Sequence, residues 1–171
     1  LVDLRALMVQ CEAEARALSR MLHPSDDRPQ RLTFAQLPGL ALVGAPGEVR
    51  SAISNVVNNA VRYTPTGGAI DVRWHILPGG GARLDVTDTG TGIPPEHLSR
   101  LGERFYRVDR SRSRESGGTG LGLAITKHVV QRHGGELQIS SALGQGSCFS
   151  LLFPAQRVRL PMRAGQRSLN L

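Results

Sequence analysis

Residues 49–65 read VRSAISNVVNNAVRYTP, and the two faces of this stretch decide the fold. Val49, Ala52, Ile53, Val56, Val57 and Ala60 recur at steps of three and four, the spacing of a buried helix face, and Pro65 with Gly67-Gly68 stops the helix. The other face is costly. Asparagine is a poor helix former because its amide competes with the backbone for hydrogen bonds, yet Asn55, Asn58 and Asn59 crowd into one and a half turns. Asn55 and Asn59, at i and i+4, share a face, with Arg62 and Tyr63 one turn on. Asn58 faces differently and is given no role. An amide oxygen, a guanidinium and a flat ring in one line suit Mg²⁺, phosphate and a purine, unless this is a surface helix with ordinary polar residues and a buried tyrosine.

Working outward, Leu4, Leu7, Met8, Cys11, Ala15, Leu18 and Leu22 predict an amphipathic helix over 1–22. Short strands follow at 31–35 and 40–43, split by Pro38-Gly39. Beyond the asparagine helix, Ile70, Val72 and Trp74 alternate, as do Leu84 and Val86, with residues 78–81 as a hairpin turn. A third helix over 121–133 stops at Gly134-Gly135, and strands 136–140 and 147–153 flank Gly144-Gln145-Gly146. Pro154 is expected to end the domain. No strand-helix-strand rhythm repeats throughout. The pattern predicts an α+β fold, a two-layer sandwich of about three helices on a mixed, largely antiparallel sheet.

Two glycine-rich stretches carry the remaining chemistry. Asp88-Thr89-Gly90-Thr91-Gly92 directly follows a strand, where a carboxylate can accept from an exocyclic amine and glycines admit a flat ligand, or where Asp88 merely caps a turn. Asp-Thr-Gly also raises an aspartic protease, but that needs a second such carboxylate and leaves the other glycines unexplained. Gly117-Gly118-Thr119-Gly120-Leu121-Gly122 opens a helix, where free N–H groups seat a phosphate chain or the glycines act as a hinge. It matches neither the dinucleotide G-x-G-x-x-G nor a Walker loop, which would carry a lysine. Residues 89–120 lack sustained periodicity, and loops this long usually serve a ligand or are disordered.

Composition narrows the class. The 171 residues carry a net charge of +7, and Arg157, Arg159, Arg163 and Arg167 place more than half of that excess in a basic tail, 155–171. The tail has no aromatic residue for stacking on bases, so no nucleic-acid partner is expected. No apolar run approaches the roughly 20 residues of a membrane helix. Cys11 and Cys148 stand far apart with no CxxC or histidine spacing, which excludes a zinc motif and fits a reducing compartment.

In order and spacing, these stretches resemble the ATP-binding catalytic domain of sensor histidine kinases, a Bergerat-type fold shared with gyrase, Hsp90 and MutL. Residues 55–65 resemble the family's N box, 88–92 its first glycine box, Glu103-Arg104-Phe105-Tyr106-Arg107 its F box, and 118–122 its second glycine box. Gly144-Gln145-Gly146-Ser147 with Phe149 is similar to the closing hairpin. Within the family the likeness is greatest to the phosphate-regulon sensor kinases.

The resemblance implies Asn59 as the Mg²⁺ ligand, with Asn55 beside it at the metal and phosphate end. It implies Arg62 near the phosphates, Tyr63 on the adenine, Asp88 reading the adenine amino group, and Gly90, Gly92 and Ile93 shaping that pocket. Thr119, Gly120 and Gly122 match the phosphate-side backbone and Leu121 a ring contact. Phe105 and Tyr106 would anchor a lid, 93–118, and Arg107 would reach the γ-phosphate, with Arg104 a further candidate. The domain would span 23–154, and helix 1–22 would lead in from an upstream helical domain.

One departure bears on chemistry. ATP-hydrolysing relatives carry Glu where this chain has Asn55, and an amide cannot take a proton at neutral pH, so ATP should be held rather than quickly hydrolysed. The acceptor histidine of such kinases leads a His-Glu or His-Asp pair, and neither occurs here. The five histidines are assigned to surface or core packing. The resemblance therefore implies cofactors ATP and Mg²⁺, transfer to a histidine on a separate dimerisation domain, relay to a response regulator, and a cytoplasmic location without membrane contact. An ATP-binding regulatory module or an anti-sigma-type serine kinase of the same fold is the alternative.

Overall fold

The computed structural model describes residues 1–25, 27–35, 39–108 and 120–161. In chain order its elements are β1 (Val2–Asp3), α1 (Leu4–Leu22), β2 (Arg31–Ala35), β3 (Ala41–Leu42), α2 (Pro46–Tyr63), β4 (Ala69–Ile76) and β5 (Ala82–Asp88). Then come α3 (Pro95–Leu98), α4 (Gly122–Arg132), β6 (Glu136–Ala142), β7 (Gly146–Phe153), a 3₁₀ turn (Ala155–Arg157) and β8 (Val158–Arg159).

Helix α2 is the keel of the helical layer. Pro46 opens it, where a missing N–H costs nothing. Gln30, itself buried, closes it by donating its amide to the carbonyls of Val61 (2.9 Å) and Thr64. Val49, Ile53, Val56, Val57 and Val61 are fully buried, and each such side chain contributes roughly 1.5–3 kcal/mol relative to exposure. Helix α1 flanks α2 on one side, N-capped by Asp3 and burying Leu4, Leu7, Met8, Cys11 and Ala15 in the same core. Helix α4 flanks it on the other.

Beneath the helices lies a five-stranded sheet in the order β2-β4-β5-β7-β6, with β2 parallel to β4 and every other neighbour antiparallel. Its register places inward residues in rows that cross the strands. Trp74, Leu84, Leu151 and Leu137 form one row, and Val72, Val86, Phe149 and Ile139 the next. The following row begins with Ile70 and then turns polar as Asp88, Ser147 and Ser141. That change of polarity opens a site at one end of an otherwise apolar layer. The opposite face carries solvated pairs such as Arg73 with Asp71 and Arg83 with Asp85.

Three long helices on a mixed, mostly antiparallel sheet match the sequence-based expectation. The chain does not stop at Pro154, however. It continues through the 3₁₀ turn into β8, which pairs with β3 and buries Val158, and β3 also pairs with β1. β3 falls within the strand expected at 40–43, whereas the two-residue β1 and β8 and the single turn of α3 carry too little periodicity to be read. Arg163 and Arg167 of the basic tail lie outside the described residues.

Candidate functional site

The polar face of α2, the polar end of the sheet and the segment after β5 enclose a cavity of about 430 Å³. At about 100° per residue, Asn58, Arg62, Asn55, Asn59 and Tyr63 spread over an arc of roughly 140°, and all five line it. Asn58, given no role from sequence because it faces differently from Asn55 and Asn59, sits about 60° from Asn55 and inside the arc. Asn59 and Arg62 make no side-chain hydrogen bond or ion pair among the described residues. Asn55 does, donating its amide to the carbonyl of Gly122 at 3.2 Å.

Asp88 forms the opposite end. Strand alternation after Leu84 and Val86 points it into the helical layer, where it is 6% exposed and lines the cavity. Its Oδ1 accepts from the Gly90 amide at 2.8 Å, so it caps the glycine turn and faces the cavity as well. Burial pushes its pKa up, opposed by the backbone N–H groups of Gly90 and Ser147. Gly90 must be small, since a Cβ there would lie 2.5 Å from the Tyr63 carbonyl. Gly92 has φ +71°, and its Cβ would fall 2.1 Å from the carbonyl of Ala142, so the turn lies flush against the β6–β7 hairpin. Ile93 lines the cavity, and its N–H donates to Ser141 Oγ at 2.8 Å.

Gly120, Gly122 and Arg107 line the end near α4. Gly120, at φ +74°, leaves room for the Phe105 backbone and the Arg107 side chain, which a Cβ would meet at 3.0–3.1 Å. Thr119, and residues 109–118 of the expected lid, lie outside the described residues.

Two expected contacts are corrected. Phe105 does not line the cavity: it is 69% exposed at φ +63°, and its backbone N–H donates to the Gly120 carbonyl at 3.1 Å. Tyr106 lines it instead, its hydroxyl against His97 Nδ1 and the Arg100 guanidinium 4.2 Å above its ring. Leu121 occupies the N-cap of α4 away from the cavity, and Leu123 provides the apolar contact there. Arg104 is exposed and is not among the lining residues. Sequence reading also passed over Ser147, Phe149 and Leu143 as lining groups. Alternation along β7 pairs Ser147 with Phe149, but which face meets the cavity depends on the sheet order.

Helix α4 is tied to α2 by further bonds. Besides Asn55, the Thr126 hydroxyl donates to the Ala52 carbonyl at 3.0 Å. Buried His133 donates from Nδ1 to the Val129 carbonyl at 2.7 Å and accepts at Nε2 from the Ala45 N–H at 3.4 Å.

The donor set fits a nucleotide with its metal. An acceptor-only carboxylate and apolar walls suit a base with an amino group, while glycine backbone and two arginines suit phosphates. Among the described residues no three His, Cys, Asp or Glu side chains gather as a metal group. An unpartnered amide oxygen suits a Mg²⁺ ion that takes its other ligands from phosphate and water.

Comparison with known proteins shows the family. Residues 44–157 match the Histidine kinase-, DNA gyrase B-, and HSP90-like ATPase family, and the chain belongs to it. Over 156 residues it is 49% identical to the phosphate regulon sensor protein PhoR of Pseudomonas aeruginosa, covering 91% of this chain and 34% of that one. To the sensor-like histidine kinase SenX3 of Mycolicibacterium smegmatis it is 40% identical, covering 82% and 36% respectively. The chain thus spans about a third of the length of these curated relatives. Among solved structures it is similar to the mycobacterial sensor histidine kinase MprB, with TM-score 0.74 and 30% identity over 93% of this chain and 98% of that one. It is also similar to full-length ShkA in complex with AMPPNP, with TM-score 0.70 and 29% identity over 90% of this chain and 30% of that one. No helix of the described residues is long and apolar enough to cross a membrane.

Proposed function

We propose that this chain is the part of a sensor histidine kinase that binds Mg-ATP and presents its γ-phosphoryl group to a histidine on a separate dimerisation domain, for relay to a response regulator. The observation that carries the reading is that Asp88 and Asn59 line one cavity, with an amide rather than an acid at Asn55.

Asp88 accepts from the exocyclic amine of adenine, and Tyr63, Ile93 and Phe149 cover the base. Asn59 offers its amide oxygen to Mg²⁺, with Asn55 beside it, and Arg62 and Arg107 attract the phosphate chain. The backbone at Gly120 and Gly122, with Thr119, closes on the phosphates. Bound there, Mg²⁺ would neutralise charge on the phosphate oxygens as the phosphoryl group leaves.

Among the described residues that line the cavity no held base stands near the phosphoryl group, so water is a poor competitor for it. Asn55 cannot take a proton, and Asp88 is engaged at the base end. Glu103, the other acid lining the cavity, is exposed and ion-paired to Arg100 at 3.3 Å. The group is thereby kept for an imported imidazole. On this reading the chain works in the cytoplasm, where Mg-ATP is available. The regulatory-module and serine-kinase alternative is not favoured, since the relatives matched are named sensor kinases.

The test is incubation with γ-labelled ATP, Mg²⁺ and the histidine-bearing domain of a phosphate-regulon sensor kinase. Acid-labile, base-stable label on that domain is expected, and lost when its histidine is changed. Tight nucleotide binding with no transfer would reject the kinase reading and leave a binding module.

A further inference from the structure

Ser141 lies on β6, one strand beyond Ser147 and two beyond Asp88 in the polar row of the sheet. Its Oγ meets three groups: the Ile93 N–H at 2.8 Å, the Gly146 carbonyl at 3.0 Å and Ser147 Oγ at 2.8 Å. A hydroxyl has one proton and two lone pairs. The Gly146 carbonyl can only accept, so it takes the Ser141 proton, and the Ile93 amide fills one lone pair. The second lone pair is then filled by Ser147, whose own proton is thereby directed away from the cavity. Ser147 lines that cavity in register with Asp88.

The geometry points to Ser141 as a positioning residue that sets base specificity by holding Ser147 as a hydrogen-bond acceptor. The base end then offers two adjacent acceptors, the Asp88 carboxylate and Ser147 Oγ. These match the two protons of an exocyclic amine and leave a carbonyl at the same ring position with no donor. A site built from unpaired acceptors rejects the wrong partner more strongly than it rewards the right one. Discrimination between 6-amino and 6-oxo purines therefore depends on a serine outside the cavity lining as well as on Asp88.

The inference rests on the nucleotide reading above and is tested with ADP and IDP, which differ at this ring position and donate no γ-phosphoryl group. Calorimetry on the 171-residue chain should show ADP bound more tightly than IDP. In Ser141→Ala the Ser147 proton is released to face the base, and the ADP:IDP affinity ratio should fall about five- to tenfold, chiefly through tighter IDP binding. Ser141→Thr keeps the hydroxyl and should keep the wild-type ratio. The gain in IDP binding should vanish in the Ser141→Ala, Ser147→Ala double variant, because no hydroxyl remains to donate. An unchanged ratio in Ser141→Ala, or an IDP gain that survives in the double variant, would overturn the assignment while the nucleotide reading stands. Binding of neither diphosphate by the wild-type chain would overturn both.

Discussion

The side-chain amide of Asn55 donates to the backbone carbonyl of Gly122, 67 residues further along, at 3.2 Å. This bond joins the asparagine helix to the glycine-rich entry of α4. Asn55→Asp sets a carboxylate against that carbonyl at neutral pH. A loss of about 1–3 kcal/mol is expected in urea unfolding, with Asn55→Ala at the low end.

Asp88 combines a functional charge with a stability cost. Its folded pKa lies above its ordinary value because burial outweighs the N–H groups that favour the charge. Its contribution to stability is therefore complete below the unfolded pKa and lost as pH rises through the folded one. Asp88→Asn should melt no lower than wild type at pH 7, with the difference between the two shrinking on acidification. The same variant should bind ADP at least about tenfold more weakly, since an amide presents a donor as well as an acceptor. A fall in melting temperature at pH 7 would contradict the burial argument.

Proton competition follows from the same shift. ADP affinity should weaken as pH is lowered into the range where Asp88 takes a proton, beginning at a higher pH than a solvent-exposed aspartate would give. In Asp88→Asn that dependence should flatten. Calorimetry across a pH series, with the metal omitted, isolates the effect.

At the other end, Asn59→Ala should remove the Mg²⁺-dependent part of affinity for a non-hydrolysable ATP analogue, about tenfold, and leave metal-free binding unchanged. Asn59→Asp should shift the metal concentration required. Equal losses with and without Mg²⁺ would place Asn59 outside the metal end.

Gly92 tests the junction between the turn after β5 and the β6–β7 hairpin. Alanine there would adopt φ +71° and drive its Cβ against the carbonyl of Ala142. A loss of at least about 2 kcal/mol in unfolding free energy is expected. Ala142→Gly should not rescue it, because the obstacle is backbone.

Much of this was legible beforehand, for local reasons. The spacing of Val49 to Ala60 identified α2, and the alternation through Trp74 and Val86 identified the central hairpin. Asn55, Asn59, Asp88 and the glycines stood out because each is costly where it occurs. Phe105 and Leu121 are expected at the site from the resemblance alone, and a motif match does not record whether a side chain turns inward or out. Asn58 shows that a helix face about 140° wide admits residues that the Asn55–Asn59 line alone does not include. The short strands β1 and β8 leave no repeat long enough to read, while β3 falls within the expected strand at 40–43.

The sequence by itself determined the class of fold, the order of its elements and the residue types that a nucleotide and its metal require, because periodicity and propensity act between near neighbours. Only the tertiary structure decided which of those residues share a cavity, that Tyr106 and Leu123 enter it in place of Phe105 and Leu121, and that a polar row runs from Asp88 through Ser147 to Ser141. These are matters of register and sheet order. They are settled by burial of the whole apolar layer at once, and no single segment records them.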